Sequence, residues 1–410
     1  MKKISTKIIR CQFSKKKDLE LVLSLGSLPA VNNFEKIKKK KAHEFFFPTN
    51  LVYSKSSNLF QIDNVVEKEI LFPKTYPYTS STTKILRNNF SSLFKEVKKV
   101  IDLKPKDLVV DIGSNDGNLL RQFKNVRVLG VTPEDIGKKA IKSGIPTILS
   151  YFNKDVVNKI LKKYGKAKIV TATNVFAHME NLNEVTDNIM KIMDKDGMFI
   201  TESHYFLSIL QNLQYDTIYH EHLRYYTLTS LKKFLEKKNL KIFKFVKIPT
   251  HGGSIRVYAS KNKNIKVSKN IRKILSYEKR VINKHNLKKF SVKVLDTKIK
   301  LLNLLNKIKT KNQIVYGVGA PSRAATLINY TGINHNLLKC ICEISGSHKI
   351  GKFMPGTNIP ILNEKIIFKK KPDYLLILSW HIFEDLKRVF KQKGYKGKFI
   401  LPLPSPKIVN

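Results

Sequence analysis

The order of secondary structure implied from residue 107 onward constrains the fold more than any other feature of this sequence. Short runs of β-branched residues alternate there with amphipathic stretches, which is the pattern of parallel strands joined by crossover helices. The predicted strands are DLVVDIG, VRVLGVT, PTILS, AKIVTATNV and GMFITES, and the predicted helices cover residues 118–123, 135–143 and 182–193. This alternation predicts an α/β fold with a doubly wound, Rossmann-like sheet.

Two further units follow the sheet. The runs LKIFKFVKI and GSIRVYAS, separated by PTHGG, predict an antiparallel hairpin at the sheet edge. Residues 263–309 are rich in Lys, with Ile and Leu at helical spacing, and predict a helical connector to a second set of strands and helices that begins at IVYGVGA. A chain of 410 residues is long enough for two or three domains. We expect a small N-terminal module at 1–82, a central domain at 83–262 and a C-terminal α/β domain at 263–410.

The charge is unusually positive. Lys and Arg number 77 against 31 Asp and Glu, a formal net charge of +46, which ordinarily suggests a nucleic acid or an anionic membrane as partner. Only ten of these cations are Arg, the residue on which specific phosphate and base recognition depends most, and the Lys residues are spread over every segment. We therefore interpret the charge as solvated surface Lys and expect neither a nucleic acid nor a membrane partner.

The cysteines and the hydropathy pattern bear on the compartment. Cys11, Cys340 and Cys342 are too few for a disulfide framework. The N-terminus lacks an apolar run of signal-peptide length, and no stretch approaches 18 uncharged apolar residues. We expect a soluble cytoplasmic protein.

A glycine-containing turn after the first strand carries the first functional signal. It comprises Asp111, Gly113, Ser114, Asn115, Asp116 and Gly117. Glycines allow a sharp turn and a close approach of the backbone to a ligand. The two carboxylates would repel a pyrophosphate but attract the cationic amino-acid end of S-adenosylmethionine, so the loop favours a methyl donor over a dinucleotide.

The segment Tyr219-His220-Glu221-His222 is the densest group of titratable side chains in the chain. A His of near-neutral pKa can remove a proton from a carbon beside a ketone, and a neighbouring Glu or Tyr can orient it or stabilise the enolate oxygen. A metal site of the zincin type is disfavoured because its two His lie four residues apart, not two. From the residues alone, catalysis and a structural pair both remain open. His178, which follows the fourth strand, has the same ambiguity.

Seven motifs in this order resemble those of the sugar C-methyltransferases that act on nucleotide-linked 4-keto deoxysugars. They are YPYTSS at 76–81, GSNDGNLL at 113–120, NVFAH at 174–178, DTIYHEH at 216–222, HGGSIR at 251–256, YGVGAP at 316–321 and PGTNIP at 355–360. The resemblance covers nearly the whole chain and implies S-adenosylmethionine as cofactor and a nucleotide-linked sugar as substrate.

The resemblance also implies roles for individual residues. His222 is implied as the base, Glu221 and Tyr219 as its active-site neighbours, His178 as a substrate contact and Asn174 as a donor contact. Tyr76 and Tyr78 are implied to cover the site. The C-terminal domain is implied to be Rossmann-like and to help hold the nucleotide-sugar. Its candidate contacts are Gly317, Gly319 and Arg323, and His251 is a further candidate. Arg323 stands where Lys is usual in the family, and either cation can bind a phosphate.

The sequence departs from the family at two places. The family's N-terminal zinc site has two Cys-x-x-Cys pairs, whereas this chain has Cys11 and Ser14, then Ser54 and Ser57. Serine hydroxyls do not replace thiolates on zinc, so we expect no zinc and no other metal. Thr132, in the donor site, stands where an acidic residue normally accepts the ribose hydroxyls, and Glu134 is a candidate substitute.

Three functions follow. The leading hypothesis is transfer of a methyl group to a ring carbon of a nucleotide-linked keto-deoxysugar through an enolate. An RNA methyltransferase is suggested by the charge, but we find no RNA-binding signature. A non-enzymatic nucleotide-sugar-binding relic is suggested by the lost cysteines and by Thr132, but the retained Tyr219, Glu221 and His222 oppose it.

Overall fold

The computed structural model describes residues 4–38, 44–72, 79–82 and 84–410. The N-terminal part is built from antiparallel strands: β1 Ser5–Lys7, β2 Leu19–Pro29, β3 Phe46–Ser54, β4 Leu59–Ile62 and β5 Asn64–Val66. Strands β2, β3 and β4 form a meander, while β1 pairs with β5. Two helices follow, α1 at Lys68–Leu71 and α2 at Lys84–Lys98.

The central part contains a seven-stranded sheet. Its parallel strands are β6 Leu108–Ile112, β7 Arg127–Val131, β8 Thr147–Ile148, β9 Ala167–Thr173 and β10 Met193–His204. A short β11, Arg224–Tyr225, pairs with β4 of the N-terminal sheet, and β12 Lys241–Ile248 with β13 Ser254–Ser260 adds an antiparallel hairpin beside β10. The order β12-β13-β10-β9-β6-β7-β8 confirms the predicted doubly wound sheet with a terminal hairpin.

Helices cover this sheet between the strands. They are α3 Gly137–Lys142, α4 Lys154–Lys163, α5 Leu182–Ile192, α6 Phe206–Asn212 and α7 Leu228–Lys237. Side-chain caps begin three of them: Asn153 accepts from the Val156 N–H, Asn181 accepts from the Glu184 N–H, and Thr227 forms a reciprocal capping box with Ser230. These caps explain where the amphipathic patterns become helical.

One predicted helix was wrong. Residues 118–123 form only a single 3-10 turn at Leu120–Gln122, not an α-helix. The segment lies between Gly117 and Asn125, both at positive φ, and β7 begins at Arg127, so too few residues remain to offset the cost of nucleating a helix. The predicted strand PTILS is also shortened, to Thr147–Ile148 at the sheet edge.

Two helices connect the central part to the C-terminal part: α8 Asn270–Val281 and α9 Lys284–Thr310. The C-terminal sheet contains β14 Val315–Val318, β15 Ile341–Glu343, β16 Lys352–Phe353, β17 Pro360–Asn363, β18 Tyr374–Ile377, β19 Lys398–Leu401 and β20 Lys407–Val409, with helices α10 Ser322–Thr331, α11 Lys365–Lys370 and α12 Phe383–Gln392. Its inner strands are parallel, and β16 and β20 close its edges antiparallel. Within the described ranges, no helix combines the length and apolar character needed to cross a membrane.

A continuous apolar core joins the three parts of the chain. The ring of Phe60, on β4, stacks on that of Phe206 in α6, and Phe206 in turn meets Phe290 of α9 edge to face with ring centroids 6.5 Å apart. Burial of this kind of aromatic surface is a main source of packing energy. The N-terminal sheet is therefore packed against both of the other parts, and this packing positions the site described below.

Candidate active site

The glycine loop after β6 lies where the strand order of the central sheet reverses, the position at which open α/β sheets bind ligands. Gly113 has φ +75°, and a Cβ at this position would collide with the side chain of Val175. The N–H groups of Gly113 and Ser114 both donate to the carbonyl of Val131, at 2.7 and 3.2 Å. The loop is therefore fixed against the end of β7 with its backbone turned sharply at the sheet edge.

Asp111, the acidic residue of β6, is buried beneath this loop. The hydroxyl of Thr171 on β9 donates to its Oδ1 at 2.6 Å. Burial raises the pKa of Asp111 to about 7, the hydrogen bond from Thr171 opposes the rise, and the negative charge of Glu202 adds to it. A cation bound nearby would favour the ionised form of Asp111.

Asn115 and Asp116 face the segment that precedes α2. The Ser80 N–H donates to Oδ1 of Asn115 at 2.9 Å, and the Ser80 hydroxyl donates to Oδ1 of Asp116 at 2.7 Å. Gly117, with φ +76°, turns the chain directly after them. Both side chains were predicted to contact the donor, and the structure shows them holding residues 79–82 against the glycine loop.

Two buried polar atoms beside the loop lack a hydrogen-bond partner among the described residues. They are Oγ of Ser114 and Oδ1 of Asn174. Asn174 follows β9 at φ +57°, and its N–H donates to the carbonyl of Glu202 at 2.9 Å. Because buried polar atoms are almost always paired, these two suit a polar ligand bound over the loop.

Thr132 and Glu134 follow the neighbouring strand, β7. The buried hydroxyl of Thr132 donates to Oε2 of Glu134. Thr132 therefore orients a partly exposed carboxylate on the β7 side of the glycine loop, opposite to Asn174 on the β9 side.

Four histidines gather at the same sheet edge: His178, His204, His222 and His251. The ring centroids of His222 lie 5.0 Å from His178 and 4.7 Å from His204, and those of His204 and His251 are 5.3 Å apart. Burial lowers the pKa of all four, and lowers those of His204 and His222 well below the usual range. The cluster is therefore neutral at pH 7, and each ring has one nitrogen free of a proton.

His222 has the orientation of a base. Its Nδ1 lies 2.9 Å from the carbonyl oxygen of Thr217, which can only accept, so Nδ1 carries the proton and Nε2 has the lone pair. The ring of Tyr219 lies against it, with centroids 4.3 Å apart. Burial raises the pKa of Tyr219 well above its usual range, so its hydroxyl remains a donor.

The two residues between Tyr219 and His222 are held by the N-terminal part. Nε2 of His220 lies 3.1 Å from the Thr49 hydroxyl and 3.0 Å from the Pro48 carbonyl, which gives His220 a structural role. The side-chain amide of Asn32 donates to Oε1 of Glu221 at 2.8 Å. Glu221 is therefore buried and oriented next to the base.

His178 is a further neighbour of the His222 ring. Its Nδ1 donates to the backbone carbonyl of Glu221, and the ring of Phe72 meets it edge to face at 5.6 Å. Tyr76 and Tyr78, predicted to cover the site, lie outside the described residues, so their role stays a prediction. Phe72 shows that the N-terminal part reaches the histidine cluster just before that segment.

His251 completes the cluster from the β12–β13 turn. It has φ +57°, rare for a residue with a side chain, and its buried Nε2 has no partner among the described residues. Burial, followed by the nearby positive charge of Arg323, lowers its pKa to about 4. His204, at the end of β10, was not predicted, although the rule that found His178 at the end of β9 applies to it equally.

Arg323 is paired within the protein, and its predicted contact with a substrate phosphate stays a prediction. Its guanidinium forms a bidentate ion pair with the buried Asp216: Nε and NH2 each donate at 2.9 Å. Its NH1 lies 3.2 Å from Nδ1 of His381, and Trp380 lies under the guanidinium and donates from Nε1 to Asp216 at 2.8 Å. Arg323 therefore connects the C-terminal part to the segment that carries His222.

Gly317 and Gly319 lie at the end of β14. Gly319 has φ +81°, and a Cβ there would lie 2.6 Å from the Ser379 hydroxyl. The Ala320 N–H donates to Oε1 of Glu343 at 2.5 Å. The loop is thus bound to a carboxylate at the end of the next strand, and its predicted contact with the nucleotide stays a prediction.

The four positions of the family's zinc site do meet in the N-terminal part, as a hydrogen-bonded cluster. Sγ of Cys11 lies 3.1 Å from Oγ of Ser57, which donates to Oγ of Ser54 at 3.1 Å, and Ser54 donates to Asp18 at 2.9 Å. Burial alone would raise the pKa of Cys11, but hydrogen bonds from Ser14, Ser54 and Ser57 lower it overall. Among the described residues, no group of three or more His, Cys, Asp or Glu is arranged to hold a metal.

Three families of known proteins match parts of the chain. Residues 85–244 match a family described as a methyltransferase domain, residues 249–404 one described as a C-methyltransferase C-terminal domain, and residues 11–72 one described as a zinc binding domain. These matches identify the chain as an S-adenosylmethionine-dependent methyltransferase. It is 28% identical to C-methyltransferase NovU of Streptomyces niveus, across 100% of this chain and 99% of that protein. These matches confirm the resemblance to the C-methyltransferases found in the sequence.

Solved structures resemble the chain more weakly. Magnesium protoporphyrin IX methyltransferase of Synechocystis PCC 6803, with bound SAM, has a TM-score of 0.33 and 14% identity, covering 43% of this chain and 79% of that chain. An S-adenosylmethionine-dependent methyltransferase of Clostridium acetobutylicum ATCC 824 has a TM-score of 0.33 and 13% identity, covering 44% of this chain and 93% of that chain.

We expect the purified protein to contain no stoichiometric zinc, because a single thiolate and three hydroxyls do not form a zinc site. Since the four positions already meet, the variant Ser14→Cys/Ser54→Cys/Ser57→Cys should bind zinc. The control Ser14→Cys/Ser54→Cys/Ser56→Cys places the last thiol off the family's ligand position and should bind it far more weakly. Elemental analysis checks both. One zinc per wild-type chain would show that other ligands have taken over.

Proposed function

We propose that the protein transfers a methyl group from S-adenosylmethionine to a ring carbon of a nucleotide-linked keto-deoxysugar through an enolate. The observation that carries the proposal is the tautomer of His222: the bond from Nδ1 to the Thr217 carbonyl leaves a lone pair on Nε2, in a buried cluster at the sheet edge that carries the glycine loop. A neutral, desolvated imidazole beside a donor site suits removal of a proton from carbon.

The residues around the glycine loop fit the donor. Ser114 and Asn174 offer buried polar atoms in need of partners, Gly113 and Gly117 let the backbone approach, and Asp111 supplies negative charge for the donor's cationic groups. When bound, S-adenosylmethionine supplies an electrophilic methyl group. Asp111 ionises more readily once that positive charge is present.

The histidine cluster and Tyr219 perform the proton chemistry in this proposal. Nε2 of His222 takes the proton from the carbon next to the ketone, and electron density moves onto the ketone oxygen. The Tyr219 hydroxyl, protonated because burial raises its pKa, can donate a hydrogen bond to that oxygen. His178 and His251, neutral and at the same edge, are candidate contacts to the sugar hydroxyls, and Glu221 holds the base segment in place.

The C-terminal part is proposed to hold the nucleotide through the loop of Gly317 and Gly319. The reaction is proposed to take place in the cytoplasm, without a nucleic acid or membrane partner.

The experiment that tests the proposal is exchange of the sugar's acidic proton with heavy water, followed by NMR on a panel of nucleoside-diphosphate-linked 4-keto-6-deoxyhexoses. Exchange that needs the protein is expected. No exchange on any member, together with salt-dependent methylation of RNA, would favour the RNA alternative suggested by the charge of +46.

We expect Glu134→Gln to weaken the binding of S-adenosylhomocysteine by about tenfold, because a carboxylate accepts hydroxyl hydrogen bonds more strongly than a neutral amide. The Thr132 hydroxyl holds one oxygen of Glu134 at the end of β7. In this proposal the other oxygen accepts from the donor ribose. Calorimetry measures the affinity. An analogue lacking both ribose hydroxyls should bind the variant and the wild type equally; an equal loss for both ligands would exclude ribose recognition by Glu134.

A further inference from the structure

The segment 216–222 carries the proposed base, and the first two residues of α10 in the C-terminal part reach both of its ends. We propose that Ser322 and Arg323 are positioning residues that set the orientation of His222. The inference rests on the proposed function only in taking His222 as the base.

Arg323 holds the N-terminal end of the segment. Asp216 is fully buried, and its carboxylate accepts two bonds from the Arg323 fork and one from Nε1 of Trp380, at 2.9, 2.9 and 2.8 Å. A bidentate guanidinium–carboxylate pair fixes direction as well as distance. The carboxylate of Asp216 is therefore held by residues of the C-terminal part.

Thr217 links Asp216 to the proposed base, His222. Thr217 follows Asp216 directly, and its carbonyl accepts the Nδ1 hydrogen of His222 at 2.9 Å. The same carbonyl accepts from the Tyr225 hydroxyl at 3.2 Å. A displacement of Asp216 moves the Thr217 carbonyl, and with it the direction of the Nε2 lone pair.

Ser322 acts on the other end of the segment. Its hydroxyl donates to Oδ1 of Asn32 at 3.0 Å, and the Asn32 amide donates to Oε1 of Glu221 at 2.8 Å. Glu221 is buried and adjacent in sequence to His222. One helical turn therefore holds residue 216 directly and residue 221 through the N-terminal part, so that all three parts of the chain meet at the base.

Arg323 also reaches the turn that carries His251. Its NH2 lies 3.4 Å from Oε1 of Gln214, and the Gln214 amide donates to the carbonyl of Gly252 at 2.5 Å. A Cβ at Gly252 would collide with Gln214, so this contact depends on the glycine. The Arg323 network thus extends to two members of the histidine cluster.

The test compares Arg323→Gln and Ser322→Ala with a control, Arg388→Gln, which removes an exposed Arg of the same part of the chain from its pair with Asp385. Arg323→Gln should lower kcat by tens of fold, because misplacing a catalytic group by about 1 Å costs about a hundredfold. KM and the affinity for S-adenosylhomocysteine should change little, and Arg323→Lys, which keeps the charge, should recover part of kcat. Hydrogen exchange of a peptide covering residues 216–222 should accelerate, while the glycine loop keeps its protection.

Arg323→Gln leaves a buried carboxylate without its cation and can fail to fold for that reason alone. The double variant Asp216→Asn/Arg323→Gln removes this charge and should recover the melting temperature, but neither kcat nor the protection of 216–222. A folded double variant with wild-type kcat, or unchanged protection of this segment in every variant, would overturn the inference. If the wild type turns over no 4-keto sugar nucleotide, the proposed function fails, and hydrogen exchange still decides whether Ser322 and Arg323 hold the segment.

Discussion

Replacing His222 by Ala is expected to slow methyl transfer by about 10²- to 10⁴-fold, the contribution typical of a general base. The variant should still bind S-adenosylhomocysteine, because His222 lies in the histidine cluster and not in the glycine loop. It should also lose exchange of the sugar proton with heavy water, which NMR can follow without any donor present. The two measurements together separate a base from a residue that only contacts the substrate.

His285→Ala is a suitable control, since His285 is exposed on α9. If His222→Ala exchanges the proton at the wild-type rate, His222 is not the base, and Glu221 or Tyr219 becomes the candidate.

The pH dependence of the rate provides a second check on His222. Burial lowers the pKa of His222 well below 6.5, so the active, unprotonated form should persist below that pH, and the rate should fall only in more acidic solution.

The second large effect concerns the donor. Asp111→Asn should weaken binding of S-adenosylmethionine by about two orders of magnitude at pH 8, because two opposite charges about 4–5 Å apart at an effective dielectric constant of about 20 attract by about 3–4 kcal/mol, part of which is lost to desolvation. The amide still accepts the Thr171 hydrogen bond, so the change removes mainly the charge. Calorimetry measures the affinity directly.

The sign of the pH effect follows from the raised pKa of about 7. Below pH 7 Asp111 is mostly protonated, and binding of a cationic donor must release that proton; above it the carboxylate is already charged. Affinity should therefore rise with pH through about 7 in the wild type and stay flat in Asp111→Asn. Asp187→Asn, which removes an exposed carboxylate paired with Lys238, should leave the affinity unchanged. Equal affinity of Asp111→Asn and wild type at pH 8 would place the donor's cationic groups elsewhere.

The fold could be predicted largely because burial on both faces gives parallel strands a continuous β-branched pattern that local sequence reveals. Strands β6, β7, β9 and β10 were found this way, and the antiparallel β12–β13 hairpin was found from the two apolar runs on either side of PTHGG. The helix predicted at 118–123 failed for a local reason, the two positive-φ residues at its ends. Too few residues lie between these two positions to offset the cost of nucleating a helix.

Part of the candidate site could be predicted from position along the sheet. His178 and the glycine loop follow strands and so meet at one edge, and the same rule could have found His204. The ion pair of Arg323 could not be predicted because its partner, Asp216, is 107 residues away in sequence and no local pattern marks the pair. Asn32 and Trp380 were missed for the same reason: each comes from a different part of the chain and reaches the base segment only through tertiary packing.

The measurement that tests the central claim most directly uses S-adenosylmethionine with a ¹³C-labelled methyl group and the panel of nucleoside-diphosphate-linked 4-keto-6-deoxyhexoses. With one member of the panel, NMR of the product should show the labelled methyl bonded to a ring carbon next to the ketone, with loss of the proton from that carbon and formation of S-adenosylhomocysteine. A labelled methyl on oxygen or nitrogen, or label transferred only to RNA and less so as salt increases, would contradict carbon methylation of a keto sugar by this protein.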